Sequence, residues 1–194
     1  MNRKSTVREE KRALRHKYAA IRQSIANREE KSKAICRNFL GTMSYAHADT
    51  VLLYHSINQE VDTTELIRII LASDKRLALP VCRENSEMTF RYLDSEEQLT
   101  KGFFSAPEPS SECEEFTSSR HAVCVIPAIA FDRNGYRLGY GKGYYDRFLT
   151  DPSIVKIGFA YDELFVDKLP RGRFDIACDL VITPKGVFNT VEKQ

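Results

Sequence analysis

Along the chain, stretches where apolar residues recur every three or four positions alternate with short stretches where they run together. The first stretch is helical: Leu14, Tyr18, Ile21 and Ile25 make one apolar stripe. Just upstream, Thr6 and Glu9 have capping-box spacing, in which each side chain satisfies a free backbone N–H of the first turn. Asn27 and Glu30 repeat that spacing and predict a restart, and Ile35, Phe39 and Met43 carry the helical period onward. Thr50 to Tyr54 (TVLLY) is a continuous apolar run suited to a buried strand. Asp62 and Glu65 signal another helix start, before LIRIILAS.

The second half is richer in strands. LALPV from Leu77 and MTFRYL from Met88 are predicted strands, and AVCVI from Ala122 is the clearest buried one. Residues 105–120 are rich in Ser, Pro and Glu and predict a surface loop. KIGFAY from Lys156 and LVIT from Leu180 predict two more strands, and a helix is expected to open at Tyr144. Apolar strands alternating with helices predict an α/β sandwich around a mostly parallel sheet. With no internal repeat and no boundary signal, residues 1–194 are expected to form one domain.

Composition narrows the class. A chain of 194 residues, 42% hydrophobic and 29% charged, is an ordinary globular protein rather than a disordered or low-complexity one. A net charge of +2 is too balanced to announce a nucleic-acid or membrane partner. Cys36, Cys82, Cys113, Cys124 and Cys178 include no C-x-x-C pair, and His16, His47, His55 and His121 lie far apart. Neither a disulfide framework nor a zinc site follows. Cys124 sits within an apolar strand, an unsuitable setting for a nucleophile. The first residues lack the apolar core of a secretory signal, and no stretch approaches the ~18 apolar residues of a membrane span. A cytoplasmic location is the expectation.

The chemistry concentrates between Val125 and Leu149. Gly135, Gly139, Gly141 and Gly143 are four of the chain's nine glycines. A glycine loop entering a helix lets the backbone approach a ligand and aims free N–H groups at an anion. Lys142 inside the loop and Arg137 at its rim add two cations. Tyr144 and Tyr145 offer flat faces and hydroxyls, and Asp146 a carboxylate for Mg²⁺ or for a bond at the helix start. The spacing is neither a Walker A motif nor a dinucleotide fingerprint. A solvated glycine-rich surface loop is the alternative. Lys11 and Arg15 share a helix face and either converge on one anion or form part of a solvated basic face. Glu60 and His55 follow a buried strand, where ligands bind in parallel sheets, yet from the residues alone a solvated loop acid is the first reading for Glu60 and a structural role the commoner one for a lone His. Of the adjacent Phe103 and Phe104, one is a candidate for stacking and one for the core. Asp62 and Asp132 read as structural, one as a helix cap and one before a turn.

Pro127 to Asp146, PAIAFDRNGYRLGYGKGYYD, resembles the signature of the 5-formyltetrahydrofolate cyclo-ligases. That signature runs approximately P-x-x-x-F-D-x-x-G-x-R-L-G-x-G-x-G-Y-Y-D. The resemblance extends to Lys11-x-x-Leu14-Arg15, Glu60-Val-Asp-Thr63, Leu79-Pro-Val81, Glu108-Pro109 and KIGFAY. It implies a three-layer α/β/α fold and an ATP- and Mg²⁺-dependent conversion of 5-formyltetrahydrofolate to 5,10-methenyltetrahydrofolate. It implies that Lys11, Arg15, Arg137, Gly139, Gly141, Lys142, Gly143, Tyr144 and Asp146 bind ATP. It further implies Mg²⁺ at Asp146 and Asp179. The folate is expected at His55, Glu60, Phe104 and Tyr145, with Lys142, Arg137 and Tyr145 serving catalysis. A monomer with small-molecule substrates and no nucleic-acid or membrane partner is expected. A diverged paralogue and an RNA-binding module using the basic first helix are the rival readings.

Overall fold

A computed structural model describes residues 6–84, 86–104 and 106–190. The chain opens with helices α1 (Val7–Ser24), α2 (Arg28–Leu40) and α3 (Met43–His47), followed by strand β1 (Thr50–Leu52) and α4 (Thr64–Leu71). Strands β2 (Arg76–Cys82), β3 (Met88–Leu93), β4 (Leu99–Lys101), β5 (Pro107–Pro109) and β6 (Ala122–Ile126) come next. Then follow β7 (Ala130–Asp132), β8 (Arg137–Leu138), α5 (Tyr144–Phe148), β9 (Val155–Phe159), β10 (Phe165–Val166), β11 (Leu180–Thr183) and β12 (Gly186–Asn189).

Seven strands make the central sheet, in the order β12-β11-β9-β6-β1-β2-β3. The five inner strands are parallel, and β3 and β12 run antiparallel at the edges. The protein therefore has an α/β fold. The continuous apolar runs are those of strands buried on both faces, and the period of two sorts them. Val51, Leu53, Val123, Val125, Ile157 and Ile182 join a core under α1, α2 and α4. Leu52, Cys124, Ile126 and Val181 face the other way, toward Phe116, Phe131, Leu149 and Ile154. The second covering layer is thinner: the short α5, irregular chain and a three-stranded sheet in the order β10-β7-β8. Ile67 and Ile70 are fully buried, so truncating either to Ala costs about 2–5 kcal/mol.

Several helix starts differ from expectation in detail. At α1 the box is complete: Thr6 Oγ1 accepts from the Glu9 N–H (3.3 Å) and the Glu9 carboxylate from the Thr6 N–H (2.9 Å). Asn27 does precede α2, but in a left-handed conformation (φ 53°) with no side-chain cap bond. Met43 belongs to α3, capped by Thr42, and is exposed. Asp62 accepts from the Thr64 N–H (2.9 Å), one step ahead of the cap position held by Thr63. The stretch 105–120 is not all surface; Ser105 lies outside the described residues, but β5 pairs with β4, and Glu108 and Pro109 are buried. All five cysteines are free thiols. Among the described residues, no helix is long and apolar enough to cross a membrane.

The chain crosses from one half of the sheet to the other between β1 and β6, which are neighbours although β2 to β5 intervene in sequence. Such a switch point leaves a crevice beyond the carboxyl ends of the strands. After β6 the chain lays the β7 arm on the sheet, where Gly158 makes room: a Cβ there would stand 2.4 Å from the Phe131 ring. The arm turns at Asp132, whose fully buried carboxylate accepts from the N–H groups of Asn134 (2.9 Å), Tyr136 (3.0 Å) and Leu169 (2.9 Å). Asp132 is thus structural, and its turn returns the chain to the crevice as the glycine loop.

Candidate active site

The crevice holds a cavity of about 540 Å³. Segments far apart in sequence line it: α1, the loop after β1, the end of β2, the β4–β5 hairpin and the glycine loop with α5. Lys11, Arg15, His55, Glu60, Phe104, Arg137, Gly139, Gly141, Lys142, Gly143, Tyr144, Tyr145 and Asp146 all line it.

One end is cationic. Arg15 Nε donates to the Gly139 carbonyl (2.8 Å), tying α1 to the glycine loop. Gly141 has a φ of +94°, and a Cβ there would press on the Arg15 guanidinium at 3.2 Å, so this close approach requires glycine. Lys11 pairs with Asp175, which also accepts from the Gly172 N–H (2.6 Å). Arg137 is buried and donates to the Ile176 carbonyl (2.8 Å) and Asp146 Oδ1 (2.5 Å). Two of the four cations are therefore already neutralised by carboxylates. Among the described residues, no hydrogen bond or ion pair holds the Lys142 ammonium, and none engages the backbone N–H groups of residues 139–143. This end consequently presents uncompensated positive charge and free donors, the complement of a phosphate group.

The loop is braced from outside. Arg147 donates to the carbonyls of Lys142 (2.8 Å) and Ser86 (2.6 Å), and the Tyr144 hydroxyl to the Arg83 carbonyl (2.9 Å). The β2–β3 turn thereby fixes the loop without occupying the cavity.

The other end is aromatic. Tyr145 stands edge-on to Phe90 at 6.5 Å. Its phenol is held neutral by burial, which pushes its pKa well above the usual range. Phe104 stands edge-on to Tyr144 at 5.8 Å, whereas Phe103 does not line the cavity. Cys82 lines the cavity with its thiol pushed up to about 12 by burial. Glu60 is 8% exposed and its pKa is raised, because burial outweighs the bonds it accepts. Those bonds come from the Ile57 N–H (3.0 Å) and the Tyr140 hydroxyl (2.7 Å). Asn58 and Gln59 both take left-handed conformations (φ 48° and 64°), and this tight turn folds Glu60 back over the strand end. Glu60 is therefore a buried cavity carboxylate, not a solvated loop acid. His55 lines the cavity with Nδ1 3.4 Å from the Ser56 carbonyl.

Of the site residues that the family resemblance implies, Asp179 is the one outside the cavity. Its carboxylate accepts from the Lys156 N–H (2.7 Å) and pairs with the Lys156 ammonium (3.7 Å). Those bonds tie the start of β9 to the chain entering β11, a structural task. Among the described residues, no cluster of three His, Cys, Asp or Glu side chains could hold a metal ion. Tyr140, Asp175 and Glu108 line the cavity as well and were not singled out by residue pattern. Tyr140 occupies an unspecified position between two signature glycines, and Asp175 lies outside every motif. The pairing of Glu108 with Pro109 was the one available signal.

Fold and site together define an α/β protein with a cavity at the switch point of its sheet, cationic at one end and aromatic at the other. The family model described as the 5-formyltetrahydrofolate cyclo-ligase family matches residues 2–184, and the chain belongs to that family. The chain is 34% identical over 147 residues to the 5-formyltetrahydrofolate cyclo-ligase of Escherichia coli, a match covering 73% of this chain and 81% of that protein. It is 29% identical to the Mycolicibacterium smegmatis protein of the same name, covering 90% of this chain and 94% of that one. The solved structure of Aquifex aeolicus 5,10-methenyltetrahydrofolate synthetase superposes with a TM-score of 0.84 at 33% identity, covering 95% of this chain and 94% of that chain.

Proposed function

We propose that this protein is an ATP-dependent 5-formyltetrahydrofolate cyclo-ligase, forming 5,10-methenyltetrahydrofolate, ADP and phosphate. Family membership supports the reaction class. The carrying observation is a single cavity that joins uncompensated cations to a buried carboxylate among aromatic rings.

In this reading the triphosphate lies at the cationic end, against Arg15, Lys142 and the free N–H groups of the glycine loop. The folate ring lies at the other end, where Glu60 accepts hydrogen bonds from its amino-pyrimidine edge. The neutral Tyr145 phenol and Phe104 border the ring. The formyl oxygen attacks the γ-phosphorus, and the bond from that phosphorus to ADP breaks. The formyl carbon now carries a phosphate leaving group. N10 attacks that carbon, its proton passes to solvent, and the carbon–oxygen bond breaks to release phosphate. Ring closure leaves the methenyl bridge between N5 and N10. No residue is covalently modified, so the protein acts by positioning and by neutralising charge on the transferring phosphoryl.

Mg²⁺ takes hard oxygen ligands and keeps waters, using one or two carboxylates plus substrate phosphates rather than an all-protein cage. Asp146 fits such a site, as a cavity-lining carboxylate beside the loop, and is the residue we assign to it. The ion would supply further neutralisation of the phosphate oxygens.

Mixing purified protein with 5-formyltetrahydrofolate and Mg-ATP tests the reading. A near-ultraviolet rise from the methenyl product, requiring both ATP and Mg²⁺ and matched by ADP release, is expected. Folded protein that binds ATP but gives no rise would overturn it.

A further inference from the structure

Among the described residues, no cation pairs directly with the Glu60 carboxylate. Its Oε1 accepts from the Tyr140 hydroxyl at 2.7 Å, and that hydroxyl in turn accepts from Arg22 Nη1 at 3.0 Å. The direction of both bonds is forced. A guanidinium has donors only, so the single hydroxyl hydrogen goes to Glu60. Arg22 is 6% exposed and Glu60 8%, so both charges sit in a setting where electrostatic coupling is strong. The Arg22 guanidinium also stands 5.7 Å from the centre of the Tyr140 ring. Tyr140 therefore transmits positive charge from α1 to the carboxylate. It also sits between Gly139 and Gly141, so the bond forms only while the glycine loop is held against α1.

We propose that Tyr140 is a positioning residue that keeps Glu60 ionised and aimed into the cavity, and so makes the grip on the folate ring depend on the seat of the glycine loop against α1. This deepens the cyclo-ligase reading and rests on it for its kinetic consequences.

Other groups around Glu60 do not replace this bond. Tyr54, two residues past β1, and Tyr145 on α5 face it, and both are held neutral by burial. The Tyr161 hydroxyl donates to the backbone carbonyl of Glu60 rather than to its carboxylate (3.1 Å). Asp62 and His55 lie on the same loop, and neither bonds to the Glu60 carboxylate: Asp62 accepts from Ser56 and Thr64, and His55 contacts the Ser56 carbonyl. The Ile57 N–H remains as the other donor to the carboxylate.

The test compares the parent with Tyr140→Phe, which keeps the ring and removes the hydroxyl. The KM for 5-formyltetrahydrofolate should rise about tenfold, the worth of a hydrogen bond to a charged group, with the KM for ATP within about twofold. The acid limb of kcat/KM for the folate should move to higher pH by about one unit, because one of the two bonds favouring the ionised carboxylate is gone. Arg22→Met should move it in the same direction by less. In a Glu60→Gln background the Tyr140→Phe change should lose its effect on the folate KM. An unmoved acid limb, a loss of thermal stability alone, or an equal effect in the Glu60→Gln background would each overturn the proposal. Carbon-13 NMR titration of the labelled Glu60 carboxyl in ligand-free protein reads the same displacement without turnover. If the parent fails to turn over, the function reading falls, and this titration still decides the role of Tyr140. An identical titration in parent and variant would sink it.

Discussion

The two ends of the cavity carry opposite charge and are built by opposite means. At the cationic end, Lys142 is exposed and has no partner among the described residues, and the loop that carries it is braced by Arg147 and Tyr144. Charge is kept there at little cost, because water solvates it until an anion arrives. At the other end, Glu60 is buried, and the Ile57 N–H and Tyr140 hydroxyl must hold it ionised against its burial. The first arrangement separates binding from folding, and the second couples them. Substitutions at the two ends should therefore fail differently.

The largest effect is expected for Lys142→Ala. Losing an uncompensated cation aimed at developing phosphoryl charge should lower kcat by about 100-fold. The melting temperature should stay within about 2 °C, since no bond of the fold is lost. Parent-like turnover would show that Lys142 is only a solvated side chain.

At the opposite end, Glu60→Gln should raise the folate KM by about 30-fold and leave the ATP KM unchanged, because one charged acceptor is removed. The pH dependence follows from burial, which raises the Glu60 pKa. Binding needs the ionised form, so the parent's folate KM should climb as pH falls through that raised value, a limb absent in Glu60→Gln. For stability, the Glu60 contribution is full below its unfolded pKa and is lost as pH rises through its folded value. Denaturant titrations across that range should show the difference in stability shifting toward Glu60→Gln as pH rises. A constant difference would deny that burial raises this carboxyl.

Smaller effects refine the comparison within the cationic end. Arg15→Ala should raise the ATP KM by about fivefold, as expected for one half-buried phosphate contact, with a smaller rise in the folate KM because the Arg15–Gly139 bond that ties the loop to α1 is lost. An unchanged ATP requirement would return Arg15 to a solvated basic face. Asp175→Asn removes the carboxylate that neutralises Lys11 yet keeps an acceptor for the Gly172 N–H. It should tighten ATP binding by about twofold, read by calorimetry, and this gain should fade with added salt. Weakened binding would mean that Asp175 positions Lys11 rather than competing for it.

The legible parts of the molecule were those set by local pattern. TVLLY and AVCVI form neighbouring parallel strands because unbroken apolar runs suit burial on both faces. The Thr6–Glu9 box is local chemistry and formed as its spacing predicts. Short elements were missed: β4, β5, β7, β8, β10 and β12 are two to four residues long, too short to show an alternation, even though β4 with β5, β7 with β8 and β11 with β12 pair across local turns. Asn27 shows the limit of a spacing rule, since its left-handed backbone leaves the side chain without a cap bond. In the site, the glycine loop and its cations were legible as a motif. What was not legible was which cations are already paired, because Asp175 lies 164 positions from Lys11. The Arg22–Tyr140–Glu60 chain joins three segments, and only the fold brings them together. Nor was the contact of Asp179 with Lys156 legible, because the two residues lie 23 positions apart and meet only where β9 and β11 pair.

The central claim is that the cavity lines up the formyl oxygen of the folate with the γ-phosphorus of ATP. The most direct test is isotopic. 5-Formyltetrahydrofolate labelled with oxygen-18 in the formyl group would be turned over with Mg-ATP, and the released phosphate analysed by mass spectrometry. The account predicts one labelled oxygen in each phosphate. Unlabelled phosphate formed alongside the methenyl product would contradict it, because the formyl oxygen would then have left by a route that bypasses ATP.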